Sequence, residues 1–231
     1  MREELPTARI LRMDRDTTTK KLSHQQIMDR FRAHEYDILF GTQMVAKGHD
    51  IAGVTAVGIL SADANLNIPD FRSSEICFML ITQAAGRAGR ASNAGRVIVQ
   101  VYNPDHAAVY FGCRQDYESF VESELPKREE LFYPPFSRLI KLLMVGKDEQ
   151  STKIRAQEIV DKFRAEFDGR EDIRAEIMGP AAAMIARLRD EYRFVLLIKT
   201  NDLDRVRAFL RVHGLHQRDD VTIDIDPIMI L

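Results

Sequence analysis

The chain has 231 residues, enough for one large domain or two small ones. Hydrophobic residues make up 45% and charged residues 29%, the balance of an ordinary globular protein rather than a disordered or fibrous one. Lys and Arg number 33 against 35 Asp and Glu, a net charge of −2 that excludes a chain-wide basic field, so any nucleic-acid contact must come from local clusters.

In chain order, Arg9-Ile-Leu-Arg-Met13 predicts a short strand. Ser23-His-Gln-Gln26 has capping-box spacing, with Ile27 and Phe31 one turn apart on the helix it would start. Tyr36 to Gly41 predicts a buried strand, and Val54 to Leu60 a second strand. From Ser73 the apolar positions Ile76, Leu80 and Ala84 recur at helical spacing, and Arg96-Val-Ile-Val-Gln-Val101 is a β-branched strand. Residues 104–131 predict one amphipathic helical stretch, ended by Tyr133-Pro-Pro-Phe136 because two prolines cannot continue a helix. Beyond it the pattern predicts a strand (138–146), a helix (149–167), a strand (173–178), hairpin strands (183–189 and 192–199), a helix (202–213) and a strand (221–226). The first of these helices carries a stripe at Ala156, Val160, Phe163 and Phe167. The last strand alternates Val221, Ile223 and Ile225 with polar residues.

The expected fold class is therefore α/β. Strands alternating with helices predict a partial RecA-like lobe, mainly parallel sheet with helices, over 1–103. A helical connector spans 104–136, and a small ferredoxin-like α+β domain spans 137–231. The second domain holds 17 basic and 17 acidic residues, so it is balanced as well. No apolar run approaches the ~20 residues of a membrane span, and the N-terminus lacks a signal-peptide pattern. Cys77 and Cys113 lie far apart with no partner motif, which suits a reducing cytoplasm and suggests no metal site; Cys77, in an apolar run, is expected in the core. His213 and His216 have metal-compatible spacing but lack a third ligand.

Two segments carry chemistry. Gln83-Ala-Ala-Gly-Arg-Ala-Gly-Arg90 sets Arg87 and Arg90 directly after glycines at the end of a helix-patterned run. Glycine permits sharp turns, and a guanidinium fork on such a turn can reach a neighbouring phosphate. That is arginine-finger chemistry, worth about 10³–10⁵ in rate. Gly41-Thr-Gln-Met-Val-Ala-Lys-Gly-His-Asp50 places a hydroxyl and an ammonium after a strand, a setting suited to phosphate contact. A G-x-x-x-x-G-K-[S/T] loop is missing from the chain, since Gly146-Lys147 has no matching upstream glycine and is followed by Asp148. The β and γ phosphates of a nucleotide would need a cradle supplied from elsewhere.

The two segments resemble motifs VI and V of the superfamily 2 helicases. With Pro69-Asp-Phe-Arg72, Tyr133-Pro-Pro-Phe136 and Asp224-Ile-Asp-Pro227 in the same order, the chain resembles, over nearly its whole length, the PriA family of replication-restart DNA helicases. It departs from the family pattern at Ile76, where a basic residue is usual, and at Asp190-Glu191, where a glycine and often a basic residue are usual.

That resemblance implies a C-terminal portion of a longer ATP-dependent 3′→5′ helicase that recognises stalled or branched forks and restarts replication by primosome assembly. This chain alone would then be inactive, because the phosphate-binding lobe is absent from it. Arg87, Arg90 and Gln83 are the implied catalytic residues, and Gly48 and Asp50 the nucleotide-binding ones, although Asp50 alone equally suits a loop cap. Thr42 and Lys47 are implied at DNA, the alternative for Lys47 being a solvated lysine. His49 is taken as structural or nucleotide-adjacent. Arg187, Arg189 and Arg193, interleaved with Tyr192 and Phe194, suit pairing with phosphates and stacking on bases; a plain solvated hairpin is the alternative. Implied cofactors are ATP and Mg²⁺ in the full-length enzyme, with zinc only in an upstream module. Implied partners are branched or single-stranded DNA, other primosome proteins and single-strand-binding proteins, in a bacterial cytoplasm and without a membrane. A non-catalytic adaptor with a degenerate motor lobe and another superfamily 2 translocase stay open as alternatives.

Overall fold

The computed structural model describes residues 3–13, 24–42, 53–88 and 95–230. The chain divides into two compact units: Met1–Ile68 with Arg72–Phe120, and Pro69–Phe71 with Val121–Leu231.

In the first unit β1 (Ile10–Met13) pairs in parallel with β2 (Ile38–Gly41), and β3 (Ala56–Ile59) pairs in parallel with β4 (Arg96–Val99). Parallel neighbours need a crossover, and each pair has a helix in its connection. The helix α1 (His24–Arg32) buries Ile27 and Met28 against Leu11 and Met13. Asp37 ties the edge of that pair: its Oδ2 accepts from the Arg9 backbone N–H at 2.9 Å and its Oδ1 from Arg9 Nη2 at 2.7 Å. Those side-chain and backbone hydrogen bonds from Arg9 hold the carboxyl at about 2.

The longer helix α2 (Ser73–Ala85) packs Cys77, Phe78 and Ile81 against Ala108 and Val109 of α3 (Ala107–Arg114) and against Phe120 of α4 (Tyr117–Glu130). A Cβ on Gly112 would stand 3.3 Å from the Ile81 Cβ, so glycine there permits the close approach of α3 to α2. The Cys77 Sγ donates to the Ala62 carbonyl at 3.3 Å, and burial pushes its thiol up to about 11.

The second unit is one four-stranded antiparallel sheet in the order β6 (Ala175–Leu188), β7 (Glu191–Thr200), β5 (Arg138–Gly146), β8 (Val221–Ile225). With α5 (Glu149–Phe167) after β5 and α6 (Leu203–Val212) after β7, this is the interleaved β-α-β order of a ferredoxin-like domain. Asp148 and Asp202 cap the two helices, accepting from the backbone N–H groups of Ser151 at 2.8 Å and Arg205 at 3.1 Å. The predicted stripe on α5 is buried throughout, against Ile140, Leu142 and Met144 of β5 and Leu196 and Ile198 of β7. Phe163 packs with Phe167 and Phe209 at ring-centroid distances of 4.6 and 5.4 Å. Fully burying each such side chain contributes about 1.5–3 kcal/mol. Gly146 ends β5 where a Cβ would collide with Thr152 Oγ1, so this glycine serves the approach of the strand to α5. Arg138–Asp226 and Arg155–Asp220 ion pairs tie β5 and α5 to the two ends of β8.

Four expectations change. The predicted strands 173–178 and 183–189 are one strand, β6, because Gly179-Pro180 bends it instead of ending it. Gly179 has φ +102°, a Cβ on it would lie 2.6 Å from the Val195 carbonyl, and β6 is an edge strand, where proline costs no ladder bond. The single helical stretch 104–131 is two helices, since Gln115 adopts a left-handed conformation (φ 56°) that closes α3, and Asp116 Oδ1 then accepts from the Ser119 N–H at 3.1 Å. On α2 the buried residues are Ser73, Cys77, Phe78, Ile81, Ala84 and Ala85, and Ile76 faces outward. A helix apolar nearly all round offers no contrast from which to choose its face. Finally, the compact units divide within α4 and not at residue 103 or 136. Phe71 and Tyr133 stack at 5.1 Å beside Leu139 and Leu197, and Lys199 Nζ donates to the Leu131 carbonyl at 2.7 Å, so this stretch belongs to the second unit's own sheet.

Candidate functional site

The candidate nucleotide-facing residues lie at the carboxyl end of α2. Ser73 fixes the start of that helix by donating its hydroxyl to the Ile68 carbonyl at 2.6 Å, and the Cys77–Ile81 face anchors it to α3. At the other end Gly86 donates to Thr82 O at 3.0 Å, and Arg87 and Ala88 donate to Ala84 and Ala85 O at 3.0 and 3.1 Å. The helix thus tightens into a three-residue repeat over its last turn. Gln83 is exposed and Arg87, one turn further on, is half-buried. Tightening of this last turn rotates Arg87 away from the strict four-residue helical alignment with Gln83. Arg90 lies outside the described residues.

The other candidate segment follows β2. Thr42 is exposed just past the carboxyl end of that strand, the side of a parallel sheet where ligands gather. Lys47, Gly48, His49 and Asp50 lie outside the described residues, as does Ser23 of the proposed capping box.

One residue that sequence reasoning missed organises the same unit. Asp63 is buried, and its Oδ2 accepts from the backbone N–H groups of Tyr102 at 2.7 Å and Asn103 at 3.0 Å. The Asn103 hydrogen bond, ahead of that from Tyr102, holds its carboxyl below the usual range. The carboxylate therefore clamps the segment after β3 to the segment after β4. An aspartate set between two alanines directly after a strand was the available signal.

In the second unit the hairpin arginines do not form one patch. Arg189 and Asp190 both have positive φ (53° and 61°), which matches the two-residue turn whose twist suits a hairpin. Arg187 stands opposite Tyr192 in the register and shares its face, with its guanidinium 5.2 Å from that ring and donating to Asp190 Oδ1 at 3.0 Å. Arg193 is next to Tyr192 in the strand, so it projects from the other face, opposite Val145. Asp190 thus offsets part of the Arg187 charge at the turn. Two further cations line the Arg193 face. Lys199 is buried, 4.1 Å from the Tyr133 ring centroid, and burial lowers its ammonium. Lys141 donates to the Met229 carbonyl at 3.2 Å and is lowered by burial, with Arg193 adding to the effect and Asp224 opposing it. His213 is exposed and packs on Phe209 at 4.4 Å, and among the described residues no group of three His, Cys, Asp or Glu could hold a metal.

Two family models match this chain. Residues 2–92 match the helicase conserved C-terminal domain, and residues 129–228 match the primosomal protein N C-terminal domain. Curated relatives match over almost the whole chain. Replication restart protein PriA of Bacillus subtilis is 38% identical over 98% of the chain, and that of Treponema pallidum is 38% identical over 98%. The chain belongs to the PriA family. It spans 29% and 34% of the length of those two PriA proteins, and 27% of the Synechocystis PriA, to which it is 38% identical. The helicase match covers β1 through the carboxyl end of α2, so the first unit is a RecA-like lobe and Gln83 and Arg87 fall inside it. The PriA-specific match covers the ferredoxin-like sheet and its hairpin. No helix among the described residues is long and apolar enough to cross a membrane.

Proposed function

We propose that this chain is the second motor lobe and the DNA-engaging terminal domain of an ATP-dependent 3′→5′ DNA helicase that recognises stalled or branched replication forks and restarts replication. The observation that carries this reading is the position of Arg87: half-buried, directly after the glycine that ends α2, one turn beyond Gln83, within the stretch matched by the helicase model. The chemistry of that donor suits a nucleotide triphosphate, because a guanidinium is planar, always charged and forked to match phosphate oxygens. ATP with Mg²⁺ supplies the phosphoanhydride whose hydrolysis drives lobe movement. Arg87 and Arg90 neutralise charge developing on the phosphoryl group from outside its cradle, and Gln83 orients the same end of the site. Gly48 and Asp50 lie at the nucleotide sugar. Thr42 and Lys47 hold a DNA phosphate at the end of β2, so closure of the lobes moves the strand.

In the second unit Arg187, Arg189 and Arg193 contact branched or single-stranded DNA. The partners are other primosome proteins and single-strand-binding proteins in a bacterial cytoplasm, and zinc belongs to a module upstream of these residues. Because the phosphate cradle comes from another lobe, the purified 231-residue chain is expected to show no ATP turnover above background with Mg²⁺ and single-stranded DNA. Robust DNA-stimulated hydrolysis by this chain alone would contradict the divided motor.

A further inference from the structure

The β6–β7 hairpin carries a feature that phosphate pairing does not explain. From Met178↔Leu197 to Ala181↔Val195 the register slips by one residue, and from Ala182↔Phe194 to Arg187↔Tyr192 it slips by three more. Four residues of β6, Ala183 to Ala186, therefore stand opposite Arg193 alone. A bulge of this size lifts its residues out of the ladder and re-aims their side chains. Within it Met184 is 61% exposed and Ile185 55%, and Leu188, next to the turn, is 48% exposed. Ala181 to Ala186 is a run of six apolar residues on an edge strand. A solvated hairpin tip carries polar side chains, and exposed apolar runs of this length are costly unless they have a use.

Basic side chains flank the bulge. Arg187 and Arg189 follow it towards the turn, and Arg193 lies across from it on β7. Methionine or isoleucine side chains set among arginines are what DNA-bending proteins use to enter a base step: the guanidinium groups hold the phosphates while the apolar side chains unstack the bases. The Arg187–Asp190 hydrogen bond and the left-handed turn set the geometry of the tip.

We propose that Ala183–Ala186 is a strand-separating wedge, with Met184 and Ile185 entering the first base pair at the junction of a forked DNA. This rests on the reading that the second unit engages branched DNA. The test uses the 231-residue chain and a fork with 2-aminopurine at the junction pair, read by fluorescence, together with anisotropy of a fluorescein-labelled copy. At saturating protein the wild type is expected to raise 2-aminopurine emission. Met184→Ser with Ile185→Ser is expected to lose that rise at saturation. Both residues lie outside the core clusters, so the sheet remains, as far-UV circular dichroism would verify. Met184→Leu with Ile185→Phe, which keeps the apolar volume, is expected to restore the rise. Arg187→Gln, Arg189→Gln and Arg193→Gln together are expected to weaken binding and flatten its salt dependence, by about 0.7 in log–log slope for each single-strand phosphate no longer neutralised. Saturated wild type with unchanged 2-aminopurine emission, or a serine variant that matches wild type, would overturn the wedge while leaving DNA binding intact. No anisotropy change with wild type would instead overturn the DNA-engaging reading, and the wedge with it.

Discussion

The two units bury their residues in different ways. In the second, seventeen buried residues from every strand but β6 and from both helices form one cluster on one face of a continuous sheet. In the first, the described residues form separate clusters of seven and four around two separate parallel strand pairs, and Phe40, Leu60, Ile98 and Tyr102 stay exposed. The two units therefore expose different kinds of candidate surface. With seventeen residues in its larger cluster and a smaller one at Leu139, Leu197 and Ile230, the second unit's sheet is packed on both faces and carries an irregular, exposed hairpin at its edge. The first unit's candidate residues stand near the ends of elements, Gln83 and Arg87 at the last turn of α2 and Thr42 just past β2, where a backbone can meet a ligand.

Core truncation tests this comparison most severely. Phe163→Ala removes a ring that is fully buried and packed against Phe167 and Phe209. It is expected to cost the second unit about 3–5 kcal/mol. Hydrogen exchange of the intact chain should then show faster opening of β5, β7 and α5, with α2 and α3 amides at their wild-type rates. Equal acceleration in both units would mean that they share one cooperative core.

A smaller effect sharpens the contrast from the other side. The Cys77 thiol is raised from 9.0 to about 11 by burial, with Asp63 and Cys113 adding to it. A raised pKa means the unfolded chain loses its proton first, so this contribution is fully present below pH 9 and is lost as pH rises through about 11. The loss amounts to about 2–3 kcal/mol and is confined to the first unit. Urea unfolding at pH 8 and pH 10.5 should show the first unit weakening relative to a Cys77→Ala variant, whereas exchange in β5 and β7 should not differ between the two proteins. A pH dependence identical in both proteins would remove the thiol from the account.

Much of the second unit was legible in the sequence because its elements are amphipathic. The α5 stripe and the alternation of β8 have one wet and one dry side, and period alone identifies them. Where contrast failed, so did the reading. Apolar residues surround α2, so the helix was visible but its buried face was not. Gly179-Pro180 has the composition of a turn, and only the edge position of β6 makes it a bend within a strand. Nothing in the composition of Gln115 announces a left-handed residue between α3 and α4. The candidate site was legible as residue spacing: a glycine-arginine repeat after a helix needs no tertiary information. Long-range clamps were not legible, since the Asp63 bonds to Tyr102 and Asn103 cross 39 and 40 residues. The opposite faces of Arg187 and Arg193 follow from the two-residue turn at Arg189-Asp190, whose position no composition signal marked.

Arg87 is the most direct measure of the motor reading. In the intact helicase, Arg87→Ala assayed at saturating ATP and single-stranded DNA is expected to lower kcat by about 10²–10⁴, with folding and DNA affinity retained. Near-normal turnover in a correctly folded Arg87→Ala enzyme would contradict a role for the end of α2 in ATP hydrolysis.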